Sequence, residues 1–279
     1  MTLCRTMAVT WGIVLLASSA GWAQSLMAAV LPSSRSVEVG TSATFVATMI
    51  NAGQEVATDC EIWPLSAIPA TVSYTSLENG WGPGAVDIPP GAAHRFVVEF
   101  VPRAPIAPIE VQLSFKCVNT EPAPIFPGVN TVLLSASATP VADIVAMAMT
   151  PSNDGIVKIA GRDVTGVFAV ATVNLGADDT LTVSADTGDA VLPVSISICQ
   201  TEPTTSDCLS SPGSTVTATV PSDSRPTFGV FLTVPADAVI PFVPQSNRVF
   251  VRFTDSGGVT RGSTSVALWT SSEGYWDIP

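Results

Sequence analysis

The sequence predicts an all-β chain of two tandem β-sandwich domains, and three observations carry that expectation. Short blocks of period-two alternation, rich in Val, Ile, Thr and Phe, recur between Gly, Pro, Asn and Asp residues. No window of about 12 residues keeps a helical period, and 23 prolines are spread along the chain. Five cysteines fall as Cys4 near the N-terminus, Cys60 and Cys117 in one half, and Cys199 and Cys208 in the other. An even pair in each half of an exported chain predicts one disulfide per domain, Cys60–Cys117 and Cys199–Cys208.

Taken from the N-terminus, residues 1–23 read as a signal peptide. Arg5 precedes an apolar run over 7–17, and Gly21 and Ala23 suit the small-residue positions of a cleavage site before Gln24. No later stretch reaches the roughly 18 apolar residues of a membrane span, so no transmembrane anchor is expected in the mature chain. The expected location is secreted, periplasmic or on the cell surface. Loss of Arg5 takes the 11 basic residues to 10 against 23 acidic ones, a net charge of −13. That balance opposes nucleic acid and anionic membrane as partners, because both reward basic patches. Only 12% of the residues are charged while 47% are hydrophobic, which excludes disorder and leaves a surface of Thr, Ser, Asn and Gly.

Strand blocks in the first half lie at 36–39, 43–50, 95–101, 110–117 and 131–136. Those in the second lie at 141–149, 167–173, 180–185, 194–199, 215–220, 227–234, 248–253 and 263–269. Asp255-Ser256-Gly257-Gly258, between the last two, is the strongest hairpin signal. Ala138-Thr139-Pro140 marks the boundary, giving domains at 24–140 and 141–270 and a tail at 271–279. No sequence repeat is evident between the halves, and the short link is expected to hold them in a limited range of orientations. Phe45, Phe96, Phe100, Phe115, Phe168, Phe231 and Phe253 sit at alternating strand positions and are expected in the cores.

Six stretches carry a resemblance. Val37-Glu38-Val39-Gly40 followed by Asn51-Ala52-Gly53 resembles the opening of bacterial immunoglobulin-like surface modules. Pro90-Gly91, leading into a strand that closes Phe100-Val101-Pro102, is similar to the domains named after the abnormal-spindle and Hydin proteins. The mature chain as a whole resembles a two-module segment of secreted bacterial proteins of uncharacterised function, on 153–157, 166–174 and 248–253. The resemblance implies two tandem immunoglobulin-like β-sandwich domains after a signal peptide, and it implies no reaction.

Candidate chemistry is sparse. His94 is the single histidine, so any Ser-His-Asp or Cys-His system must use it, and no Gly-x-Ser-x-Gly elbow accompanies it. It is expected to be a solvent-facing turn residue. Carboxylates cluster at Asp178-Asp179, at Asp186 with Asp189, and at Asp237; Asn153-Asp154-Gly155 is a fragment of a calcium-loop pattern. All of these fit ordinary turns at strand ends, so no metal and no cofactor is expected. Trp81, in the glycine-rich loop 78–84, is the candidate binding residue, as a stacking platform for a sugar or a contact for a protein; folded back over the sandwich end, it would instead be structural. Tyr275 and Trp276 in the tail are similarly ambiguous. The expectation is a non-enzyme, a module acting through protein or cell-envelope contacts in adhesion, assembly or spacing. The alternative is a carbohydrate-binding module that takes a glycan on Trp81.

Overall fold

Alternation places every second side chain on one face of a strand, so two sheets with facing apolar sides close into a sandwich. The computed structural model describes residues 26–78, 84–160 and 165–271. The segment 1–23, expected to be a signal peptide, lies outside these residues. Over them the protein is all-β, built of β-sandwiches.

The first sandwich contains β1 (Leu26–Leu31), β2 (Ser34–Glu38), β3 (Ala43–Asn51), β4 (Ala57–Pro64), β5 (Ala70–Ser76), β6 (Val86–Ile88), β7 (Ala93–Pro102), β8 (Ile106–Lys116) and β9 (Thr131–Ser137). Its sheets run β1-β3-β7-β5 and β2-β9-β8-β4-β6. The β2–β9 pairing is parallel and the others are antiparallel. Phe45, Phe96, Phe100 and Phe115 are fully buried between the sheets, with the Phe45 and Phe100 rings edge-to-face at 5.6 Å. Cys60 on β4 is bonded to Cys117 just after β8, joining neighbouring strands of one sheet.

The second sandwich contains β10 (Ile144–Met149), β11 (Ile156–Ala160), β12 (Thr165–Asn174), β13 (Asp179–Asp186), β14 (Ser195–Thr201), β15 (Thr215–Val220), β16 (Thr227–Thr233), β17 (Arg248–Thr254) and β18 (Thr260–Ser271). Its sheets run β10-β12-β16-β14 and β11-β18-β17-β13-β15, and β11–β18 is the parallel pair. Adding nine to each strand number of the first sandwich gives the second. The halves therefore share one topology, although their sequences show no repeat. Phe168, Phe228 and Phe253 fill this core, and the Phe228 and Phe253 rings meet at 5.4 Å. Phe231, expected in the core, faces outward instead. β16 alternates so that Phe228, Val230 and Leu232 point in. The Asp255–Gly258 turn forms as expected between β17 and β18, with Gly258 at φ +82°.

Two buried asparagines mark the equivalence. Asn51 ends β3; its Nδ2 donates to the carbonyls of Glu55 and Ile88, and its Oδ1 accepts the Gly53 amide. Asn174 ends β12; its Nδ2 donates to the carbonyls of Ala177 and Val220, and its Oδ1 accepts the Gly176 amide. The backbones of the asparagines also pair with equivalent turns. The Asn51 carbonyl accepts from Gly91, and the Asn174 carbonyl accepts from Asp223. Gly91 at φ +70° and Asp223 at φ +60° adopt the same left-handed conformation. Glycine enters that region freely, and aspartate is among the few side chains that tolerate it.

The sandwiches meet across a buried polar joint. Arg35 on β2 donates from Nε and Nη2 to Asp143 Oδ2 at 2.9 and 2.7 Å, and both residues are less than 10% exposed. Asp143 Oδ1 also accepts the Ser36 amide, and the Asp143 amide donates to Asn174 Oδ1. Ser33 and Ser34 donate their hydroxyls to the Ser263 carbonyl, the Ser263 amide returns a bond to Ser34 Oγ, and Arg261 Nη1 reaches Ser36 Oγ at 3.0 Å. The orientation thus rests on a network of side-chain bonds as well as on the link at 138–140.

Removing one partner of a buried ion pair strands the other at a cost of about 3–5 kcal/mol, whereas apolar replacement of both is close to neutral. Arg35→Met is therefore expected to destabilise the protein more than Arg35→Met with Asp143→Leu, in urea unfolding followed by fluorescence. On the chain-entropy argument, the Cys60–Cys117 loop (separation 57) is worth about 4 kcal/mol and the Cys199–Cys208 loop (separation 9) about 2.7 kcal/mol. Paired Cys→Ala variants compared by the same unfolding assay are expected to rank in that order.

Candidate functional site

Trp81, Tyr275 and Trp276 lie outside the described residues, as do Asn79 and Gly80 of the Trp81 loop. His94 corrects the expectation. It stands on β7 with its side chain turned inward and is 7% exposed, because the alternation of β7 that buries Phe96, Val98 and Phe100 also buries position 94. Its Nε2 lies 2.9 Å from Ser76 Oγ at the end of β5, and its Nδ1 lies 2.9 Å from Glu78 Oε2. Arg95 Nε binds the other Glu78 oxygen at 3.0 Å. Ser76, His94 and Glu78 thus line up as hydroxyl, imidazole and carboxylate. Nucleophilic attack needs an acyl carbon about 3 Å from the hydroxyl, and Ser76 is 1% exposed. In this geometry the imidazole can hold the β5 end and the Glu78 carboxylate against β7. Sequence reasoning passed over Ser76 and Glu78 because their positions, 18 and 16 residues before His94, signal nothing until β5 pairs with β7.

The carboxylate clusters resolve into turns and ion pairs. Asp154 Oδ1 accepts from the Ser152 hydroxyl at 2.7 Å and the Ile156 amide at 3.0 Å, and Lys158 Nζ stands 2.6 Å from Oδ2. Desolvation favours its neutral form, but those hydrogen bonds and the Lys158 charge outweigh it and hold the carboxyl at about 2. Asp178 caps the Ser222 amide, and Asp186 takes Arg252 and the Gly188 amide. Among the described residues, no group of three or more His, Cys, Asp or Glu side chains is placed to hold a metal ion.

The most distinctive surface is the outward face of the sheet β10-β12-β16-β14. Its positions are Val145, Met147 and Met149 on β10; Thr165, Val167, Ala169, Ala171 and Val173 on β12; Thr227, Gly229, Phe231 and Thr233 on β16; and Ser195, Ser197, Cys199 and Thr201 on β14. None carries a charge. Met147, Val167 and Met149 are 57%, 47% and 43% exposed. Register sets Met149 beside Ala169, Ala169 beside Gly229, and Val167 beside Phe231, so small residues form a flat floor between larger ones. The Cys199–Cys208 bridge ties a loop to one margin of this face. The equivalent face of the first sandwich carries Arg95 and Glu99 on β7. The difference is specific to the second domain. It was present in the sequence as apolar residues at both parities of 144–149 and 165–174.

The pKa of Asp154 is depressed on folding, so its contribution is present above the unfolded value near 4 and lost as pH falls through about 2. Asp154→Asn is expected to lower stability at pH 7. The gap to the wild type should close between about pH 4 and pH 2 in acid-unfolding curves.

No protein-family model matches the chain, and no curated protein does either. Among solved structures, the secreted serine protease VesC from Vibrio cholerae matches at 10% identity with a TM-score of 0.25, over 74% of this chain and 46% of that chain. The chain thus spans about half the length of that protease. A likeness at this level carries no argument about fold or chemistry.

Proposed function

We propose that the protein is a non-catalytic extracytoplasmic module, secreted, periplasmic or held at the cell surface, that works through protein contacts on the outward face of β10-β12-β16-β14. The observation that carries this reading is the lack of any charge across that face, in a chain of net charge −12. Exposed apolar patches larger than scattered residues mark interaction sites. Approach here desolvates no ion, whereas approach elsewhere meets carboxylates. Two disulfides support an oxidising compartment. The joint supports a role as a stiff spacer, since it presents both sandwiches in one arrangement. The buried Ser76 hydroxyl supports the absence of acyl-transfer chemistry.

A photo-crosslinking amino acid at Met147 is expected to capture a protein from envelope extracts, while the same group at Val46, exposed on the equivalent face of the first sandwich, captures none. Met149→Lys with Val167→Glu should abolish that capture and change stability by no more than about 0.5 kcal/mol per exposed site. Equal capture from both faces would overturn the assignment of the surface. A fluorophosphonate probe is expected to leave Ser76 unlabelled, and a glycan array to give no saturable signal. Labelling lost in Ser76→Ala would overturn the non-catalytic reading.

A further inference from the structure

We propose that the cleft between the two sandwiches binds a small organic carboxylate with an apolar body, its carboxylate received by Arg248. The cleft has a volume of about 660 Å³, within the range of small-molecule sites. The first sandwich contributes Phe126, Leu133 and Gln112, and the second contributes Phe250, Gln245 and Arg248.

Arg248 is the unusual member. The other shielded cations of the described residues each have a carboxylate: Arg35 has Asp143, Lys158 has Asp154, Arg252 has Asp186, and Arg261 has Asp255. Arg248 instead donates from Nε to Ser265 Oγ at 3.0 Å, from Nη1 to the Pro244 carbonyl at 2.7 Å, and from Nη2 to the Ser265 carbonyl at 3.2 Å. Those neutral acceptors fix the plane of the guanidinium and use three of its five N–H groups, leaving one on each terminal nitrogen. Desolvation without a counter-charge pulls its pKa down to about 10. A guanidinium held in place with two N–H groups to spare is a receptor for a planar, singly charged oxyanion. The line of the cleft also includes Glu110, which accepts from the Thr131 hydroxyl, and Asp189. Two acids in the lining disfavour a dianion such as a phosphate and leave a monocarboxylate as the better match.

The apolar wall is held ready. A Cβ on Gly128 would come within 2.5 Å of the Phe250 ring, and one on Gly188 within 2.9 Å, so glycines of both sandwiches lie against that ring. Arg252, anchored by Asp186, stacks on it with its guanidinium carbon 5.1 Å from the centroid. Ser265 Oγ, which receives Arg248, itself donates to the Gly128 carbonyl across the joint. The charged and apolar parts of the cleft are therefore set by the same contacts that orient the sandwiches. This site is separate from the outward face of β10-β12-β16-β14 and does not depend on it.

The test is calorimetric titration of the mature protein with N-acetyl-phenylalanine, its amide and 3-phenylpropionate. Saturable binding of N-acetyl-phenylalanine, with the amide at least about tenfold weaker, is expected, since the amide forfeits the charge-assisted hydrogen bonds to Arg248. Arg248→Met and Gln112→Trp should each weaken binding at least about tenfold. Gln112 is exposed, so its variant keeps the test valid if Arg248→Met fails to fold. Binding of both acids points to a free carboxylate as ligand; binding of N-acetyl-phenylalanine alone points to the terminus of a peptide. Equal affinity for the amide, unchanged affinity in both variants, or no saturable binding by either acid up to about 10 mM overturns the proposal.

Discussion

The buried pair of Arg35 and Asp143 is the contact on which the arrangement of the molecule turns. Two charges removed from water cost several kcal/mol each unless nearly every lone pair and N–H is taken up. Here they are taken up. Asp143 accepts from the Arg35 side chain and the Ser36 amide, and Arg35 Nη1 goes on to the Thr44 carbonyl. An apolar seam would have tolerated sliding, because hydrophobic contact is non-directional. A fork of hydrogen bonds has one geometry. The serines at 33, 34, 36 and 263 extend that geometry along β2 and β18, and the cleft walls on either side inherit it.

The duplicated topology explains why the joint can be so polar. Each half has a complete core of its own, from Leu26 to Ala136 and from Ala142 to Leu268, so neither half needs the other to bury its apolar face. The interface is then free to specify orientation. Asn174 links the two levels. It closes the turns at one end of the second sandwich as Asn51 does in the first, yet its Oδ1 also receives the Asp143 amide and so steadies the acidic side of the joint. A side chain with a purely local duty in one half thus also supports the joint from within the other.

Much of this was legible in the sequence, and the gaps have physical causes. The all-β class and both disulfides followed from alternation, turn residues and cysteine placement. The strands at β1, β4, β5, β6 and β11 were not read from the sequence: β6 has three residues and β11 five, β1 is apolar at both parities, and β4 and β5 mix Thr, Ser, Asp and Glu with their apolar residues. The repeat was hidden because its signature is not an apolar string. It lies in Asn-x-Gly at 51–53 and 174–176, and in the turns 89–92 and 221–224, where Pro-Pro-Gly-Ala and Pro-Ser-Asp-Ser make the same bonds. Only one residue in each pair of turns must be left-handed, and Gly and Asp both meet that demand. Backbone geometry is conserved between the halves where side-chain identity is not.

His94 and Phe231 failed for a shared reason, the parity of a strand. His94 was placed in a turn because Pro-Gly precedes it, but β7 begins at Ala93 and its inward parity already includes position 94. Phe231 was placed in the core on strand alternation, but Phe228 holds the inward parity of β16, and 231 is three residues on. A shift of one residue exchanges the faces. The consequence reaches past secondary structure. It turns the histidine from a surface group into a buried tie between β5, the Glu78 carboxylate and β7, and it turns a core phenylalanine into part of an uncharged outer face. In the second sandwich β10 and β12 are apolar on both parities, so alternation alone cannot choose which side meets the partner sheet. Packing against the partner sheet makes the choice: Ile144, Ala146, Phe168 and Val170 are buried, although Met147 and Met149 are bulkier than the alanines opposite them in parity, and with Val167 they are left on the exposed face.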